Sequence, residues 1–324
     1  MKPVSLVFFL FVACSPLHAE NTPAPLSVSV GTPTVVEVND PEYTVTVADL
    51  KRQYLVHRPL TRLPNELLPV VLVFHDNLSN AQDIRKESGW NTLADKEGFM
   101  VVYPEGSGHF PSFNAGHCCG YASVQQIDDV AFTRLLLEDL TKRYAINPGR
   151  IYAAGFGNGG MMAYRLAYEM SDQIAAVGSV AGDLEATGST RPKRPVPVMH
   201  FHGMKDEKIP YKGGATKSSI GSTADHASVA QTIGYWMDVN KCQATPVEVE
   251  TEKDYLMSRY EPADGVPGAP VVLYSFPEGG HTWPGGIDLS GYLGNGTLIT
   301  SVNATALMWD FFDDFNIGGL RKKD

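Results

Sequence analysis

Cysteine is scarce in this chain of 324 residues, with four in all, and bases are outnumbered: 26 Lys and Arg against 36 Asp and Glu. The acidic balance argues against a nucleic-acid or anionic-membrane partner. No C-x-x-C or H-E-x-x-H spacing accompanies the cysteines and histidines, so no zinc signature is present and no metal is expected. The longest apolar run, Val4 to Ala13, falls short of the ~18–20 residues that a transmembrane anchor needs. Internal repeats and domain-splitting linkers are also missing.

That run is informative in its own right. Met1-Lys2, the apolar stretch and then Ser15-Pro16-Leu17-His18-Ala19 form a secretory signal peptide, with cleavage expected after Ala19. The protein is therefore expected to be secreted or periplasmic. Removing residues 1–19 deletes one lysine and no acid, which leaves the mature chain near −11. Cys118, Cys119 and Cys242 remain, and export favours their oxidation. Adjacent cysteines bridge only with strain, so Cys119–Cys242 or Cys118–Cys242 is the expected disulfide.

Residues 20–33, rich in Thr, Pro and Ser, read as a mobile arm. Val35–Val38, Tyr43–Val47 and Arg52–His57 carry alternating or β-branched runs, the pattern of an antiparallel lead-in to a sheet. Pro69–His75 is a continuous apolar run, as strands of parallel sheets covered on both faces are. Met100–Tyr103, Arg150–Ala154, Ala175–Val180, Val196–Phe201 and Val271–Phe276 repeat it. Helical periodicity falls between them, at Trp90–Lys96, Asp128–Tyr144, Gly159–Met170, Ala227–Asn240 and Thr300–Phe315. Strands alternating with helices predict an α/β fold: a doubly wound, mostly parallel sheet with helices on both faces. One domain is expected over 34–317, with a surface insertion at 244–269 and a frayed tail at 318–324.

The chemistry centres on a serine that is missing. Gly155-Phe156-Gly157-Asn158-Gly159 lies between a predicted strand and a predicted helix, the setting of a nucleophile elbow, G-x-S-x-G. Asp206, in His202-Gly-Met-Lys-Asp206, follows a strand and can orient a histidine. His281 sits late in the chain, in the glycine-flanked loop Gly279-Gly-His281-Thr-Trp-Pro-Gly-Gly286. Elbow, acid, histidine is the chain order of an α/β-hydrolase. Asp76 and Asn77 end an earlier strand, where a second oxyanion-hole N–H belongs. His200 and His202 point the same way from one strand, and a structural role outweighs a metal pair. Trp283 is a candidate substrate platform or a buried anchor, with the platform slightly favoured.

Several strings together make a specific pattern. They are Glu87-Ser-Gly-Trp-Asn-Thr-Leu-Ala, Phe99-Met-Val-Val-Tyr-Pro-Glu-Gly106, Asn114-Ala-Gly-His-Cys-Cys-Gly120 and Asp128-Asp-Val. To these add Asn158-Gly-Gly-Met-Met-Ala-Tyr-Arg-Leu-Ala, His202-Gly-Met-Lys-Asp-Glu-Lys-Ile-Pro-Tyr211 and Gly280-His-Thr-Trp-Pro-Gly-Gly. With them the chain, over about residues 43–315, resembles the secreted poly(3-hydroxybutyrate) depolymerase and feruloyl-esterase-like family. The resemblance implies an α/β-hydrolase fold, carboxylic ester hydrolysis through a serine acyl-enzyme, an ester-containing small molecule or polymer as partner, and no cofactor. It makes Asp206 the triad acid, His281 the general base, and the Asn158 N–H one side of the oxyanion hole, with Asp76-Asn77 the other.

The chain departs from that pattern twice. Gly157 stands where the nucleophile belongs, so His281 has no hydroxyl to activate. Asp76 stands where the family usually has glycine, and a carboxylate aimed at an oxyanion hole opposes the charge that develops there. These departures predict an impaired enzyme or a pseudoenzyme. The alternative is an esterase acting on polyester, feruloyl or acetyl esters in its native or serine-restored form.

Overall fold

The computed structural model describes residues 40–60, 66–116, 118–184, 191–217, 223–289 and 296–322. The signal peptide, the arm and the Val35–Val38 strand expected from the sequence lie outside them. In chain order the elements are β1 Glu42–Val47, β2 Leu50–His57, β3 Leu68–Phe74, α1 Ala81–Ser88, α2 Trp90–Glu97, β4 Met100–Pro104, α3 Gly120–Val124, α4 Asp129–Arg143, β5 Ile146–Phe156 and α5 Asn158–Glu169. There follow β6 Ala176–Val180, β7 Val198–Gly203, β8 Gly214–Lys217, β9 Thr223–His226, α6 Val229–Val239, β10 Glu248–Thr251, β11 Leu256–Tyr260, β12 Val271–Phe276, α7 Ala304–Asp313, β13 Phe315–Asn316 and β14 Gly319–Leu320.

Ten strands form one sheet in the order β1-β2-β4-β3-β5-β6-β7-β12-β11-β10. Its middle, β4 through β12, is parallel, and antiparallel strands close both edges. The continuous apolar strands of the sequence are the central ones, because both of their faces are covered. Val70, Leu72 and Phe74 of β3 join one core with Phe132, Leu136 and Leu140 of α4, Tyr164 and Leu166 of α5, and Trp236 of α6. Val71 and Val73 join the other with Ile84 of α1, Trp90 of α2, and Met308, Trp309 and Phe312 of α7.

Local signals set several boundaries. Asp128 caps α4 by accepting from Ala131 N at 2.8 Å, and Ser228 with Gln231 forms a capping box at α6. The antiparallel lead-in is found as β1 and β2.

Three expectations are corrected. The supposed insertion at 244–269 holds the hairpin β10–β11, which extends the sheet beyond β12; its exposed, charge-rich face hides the strand pattern. The chain end is not frayed through its described residues: β13 and β14 pair, and Arg321 binds the Asp313 carbonyl and carboxylate. The disulfide joins the neighbours Cys118 and Cys119. Cys242, free, lies elsewhere, its thiol directed at the Ala269 carbonyl at 3.2 Å.

Candidate active site

The site lies beyond the carboxyl ends of the central strands. The register of β3 on β5 pairs Val73 with Ala154 and Phe74 with Gly155. Continued two residues past that last pair, it sets Asp76 level with Gly157. The elbow then turns sharply into α5. Gly157 has φ 52° and ψ −117°, a conformation that L side chains adopt only under strain. Gly155 and Gly159 let the turn close, since a Cβ on Gly155 would strike the Gly159 carbonyl and one on Gly159 the Phe74 carbonyl.

Asp206 follows β7. Its Oδ1 accepts from the N–H groups of Lys208 and Ile209, each at 2.9 Å. Its Oδ2 accepts from His281 Nδ1 at 2.7 Å. His281, on the loop after β12, is buried and stacks on Phe156 with ring centres 4.7 Å apart. The sequence-derived acid and histidine are thus brought together.

The nucleophile position is not vacant. Asp76 turns its carboxylate into it: Oδ1 accepts from Asn158 N at 2.9 Å, and Oδ2 accepts from His281 Nε2 at 3.1 Å. A Cβ on Gly157 would collide with that carboxylate. The Asp76 side chain thus takes up the Asn158 N–H, the donor expected for an oxyanion hole. Its own carbonyl is held by His75, whose Nδ1–H donates to Asp76 O at 2.7 Å while Nε2 accepts from Gly106 N at 2.9 Å. Asn77 Oδ1 is buried without a partner among the described residues. The Asn158 side chain ties down Phe113, accepting from its N–H at 2.7 Å and donating to its carbonyl at 3.0 Å.

Trp283 is corrected from platform to anchor. It is 1 % exposed, and its Nε1–H donates to Thr305 Oγ1 at 2.9 Å. That hydroxyl donates in turn to Ser88 O at 2.5 Å, pinning the histidine loop to α1 and α7. His200 and His202 form a buried chain rather than a metal pair. His202 Nε2–H donates to Ile209 O at 2.8 Å, so its Nδ1 accepts from His200 Nε2 at 3.0 Å. His200 Nδ1 then accepts from the Tyr164 hydroxyl at 2.6 Å. Burial lowers both imidazoles, that of His200 well below its usual value, and keeps them neutral.

Charge is distributed differently at His281. Burial alone would depress it, but the carboxylates of Asp206 and Asp76 push it up to about 10. Burial opposes ionisation of Asp76 and Asp206, and the imidazolium overcomes it, holding both below the usual carboxylate range. At neutral pH the centre is therefore carboxylate, imidazolium, carboxylate. A protonated His281 cannot take a proton from a hydroxyl.

Glu87, at the end of α1, was missed as a site residue. Burial first, and then the nearby Asp76 charge, push its carboxyl up to about 8. Its carbonyl accepts from Ile287 N at 3.0 Å, which ties α1 to the loop after His281. Nothing in the polar string Arg85-Lys-Glu-Ser88 singles it out in the sequence.

Residues 54–191 match the family described as esterase PHB depolymerase. Over 300 residues the chain is 32 % identical to a putative esterase, NocK, of Nocardia uniformis subsp. tsuyamanensis, covering 85 % of this chain and 84 % of that protein. The chain belongs to this esterase family. As a family member it is also 29 % identical to feruloyl esterase B of Piromyces equi, over 71 % of its own length and 42 % of that protein's. Among solved structures, an acetyl xylan esterase of Aspergillus awamori matches with a TM-score of 0.51 at 14 % identity, covering 78 % of this chain and 96 % of that one. The protein pOPH matches with a TM-score of 0.52 at 15 % identity, over 78 % and 84 %. At such identities the likeness speaks for the fold, that of an α/β-hydrolase.

Proposed function

We propose that this member of the esterase family is exported and does not run the serine acyl-enzyme cycle, keeping the hydrolase scaffold with an altered centre. The observation that carries the reading is the Asp76 carboxylate, lodged between the Asn158 N–H and His281 where the serine hydroxyl belongs. Loss of the nucleophile alone costs a serine triad on the order of 10⁶ in turnover. Here the oxyanion donor and the base are engaged as well. The ester class that relatives act on remains the class of ligand proposed for the site. The N-terminal basic residue, apolar run and Ala19 support export.

The test is hydrolysis of p-nitrophenyl acetate and butyrate by the unmodified chain and by a doubly substituted chain, Asp76→Gly with Gly157→Ser. Baseline rates for the first and recovered turnover for the second are expected. Serine-like turnover by the unmodified chain would overturn the reading. The intact Asp206–His281 pair at 2.7 Å supports a second reading, that the serine-restored form is a working esterase, and the same double variant tests it.

A further inference from the structure

The carboxylate in the nucleophile position is ionised, anchored and partly open, its side chain 17 % exposed. One oxygen is fixed by the elbow N–H and the other faces the histidine. A carboxylate is badly matched to an ester carbonyl, because attack there forms an anhydride of higher energy than the ester consumed. It is well matched to a saturated carbon bearing a group that leaves as a stable anion, because attack there forms an ordinary ester.

We propose that Asp76 is a nucleophile toward alkyl halides, and that the Asp76–His281–Asp206 group hydrolyses them through an alkyl ester on Asp76. The inference rests on the proposed reading that the serine cycle is absent. An Asp76 Oδ2 lone pair attacks the halide-bearing carbon; the O–C bond forms, the C–X bond breaks, and its electron pair departs with the halide. Esterification removes the Asp76 charge that held His281 protonated, so the imidazolium releases its Nε2 proton to solvent and becomes a base. Water then adds to Cγ of Asp76 as His281 Nε2 takes a proton from it. The negative charge grows on Oδ1, the oxygen already 2.9 Å from the Asn158 N–H. This bond, which blocks the oxyanion hole for an external ester, becomes the oxyanion hole for the internal one. Collapse breaks Cγ–Oδ2, and the alkoxide takes the proton from His281. The new carboxyl group passes its own proton to His281, restoring the starting pair. The net products are alcohol, halide and one proton.

Three further features fit. Gly157 has no side chain, so space remains for the Asp76 carboxylate at the elbow. Asp206 Oδ2 holds Nδ1, leaving Nε2 as the nitrogen that exchanges protons. Each loop that delivers a charged group also carries an exposed apolar side chain: Leu78 beyond Asp76, Met204 before Asp206 and Ile287 beyond His281.

The experiment uses the full chain and its Asp76→Asn and His281→Gln variants, each checked by thermal melt, with butyl bromide and butyl iodide as probes. Three results are expected: halide release by the unmodified chain, a butyl ester accumulating on Asp76 in His281→Gln, and complete loss of both in Asp76→Asn. After turnover in water enriched in heavy oxygen, the label should lie in the Asp76 carboxylate by peptide mass analysis. A folded His281→Gln chain without butyl on Asp76, or with alkylation confined to other side chains, overturns the proposal. Parallel p-nitrophenyl acetate assays keep the two ideas apart. Ester turnover by the unmodified chain sinks the proposed loss of the serine cycle, whereas absence of the adduct with esters untouched sinks only the alkyl halide activity.

Discussion

The Nε2–H of His281 points at the Asp76 carboxylate, 3.1 Å away, and not at a hydroxyl. With Asp206 on the other nitrogen at 2.7 Å, the ring lies between two negative groups and is a stable cation. This arrangement, more than the absence of serine, determines what the centre can do.

Its protonation is directly measurable. In NMR titration of the His281 ring, the imidazolium should persist through neutrality toward about 10, and Asp76→Asn should lower that midpoint. The folded value lies above the ordinary 6.5. The stabilisation is therefore complete below that ordinary value and is lost as pH rises through about 10. The folded values of Asp76 and Asp206 are depressed, so their contribution is present above the ordinary carboxylate value and disappears as pH falls through the lowered ones. Urea midpoints across these two windows should show both losses, the alkaline one smaller in Asp76→Asn.

Restoring serine alone should fail. In Gly157→Ser the new Cβ meets the Asp76 carboxylate and takes a strained backbone conformation. A loss of roughly 1–3 kcal/mol is expected, with no esterase activity. Adding Asp76→Gly should relieve the collision and recover part of the stability. A double-mutant cycle by chemical denaturation measures the coupling; additive effects would contradict the contact.

Glu87 shifts in the opposite direction from Asp76 and Asp206. Its folded value, about 8, lies above the ordinary 4.5, so the fold favours the protonated form. Stability should fall as pH rises between these values, with a slope of up to roughly 1.4 kcal/mol per pH unit. Glu87→Gln should flatten that slope and raise the melting temperature at mildly alkaline pH. An unchanged pH profile would refute the assignment.

The close approach of α5 to β3 should tolerate no methyl group. Gly159→Ala drives a Cβ into the Phe74 carbonyl, and overpacking against backbone should cost about 3 kcal/mol. Gly234→Ala, where a Cβ meets nothing within 4 Å, should be neutral or stabilising. Melting temperatures of the two variants provide the comparison.

Much of this was legible in the sequence. Continuous apolar strands alternating with helical stretches specified the parallel sheet, and chain order singled out Asp206 and His281. The β10–β11 hairpin escaped because an edge strand with exposed faces lacks the buried-strand pattern. The disulfide escaped because spacing does not show that the Cys242 thiol faces the Ala269 carbonyl while Cys118 and Cys119 join each other. Asp76 was noticed for its charge, but its contact with His281 was not foreseen, since the rotamer of a residue at a strand end follows from what the neighbouring strand leaves open. Its signal was double, a glycine at 157 and an aspartate at 76, and the two fit each other in space.

The β3–β5 register has a broader consequence. Two parallel strands that end together deliver the side chains beyond their tips to one point, so the scaffold offers two addresses for a single reactive atom. A survey that inspects only the elbow would overlook the carboxylate that the neighbouring strand tip delivers beside Gly157.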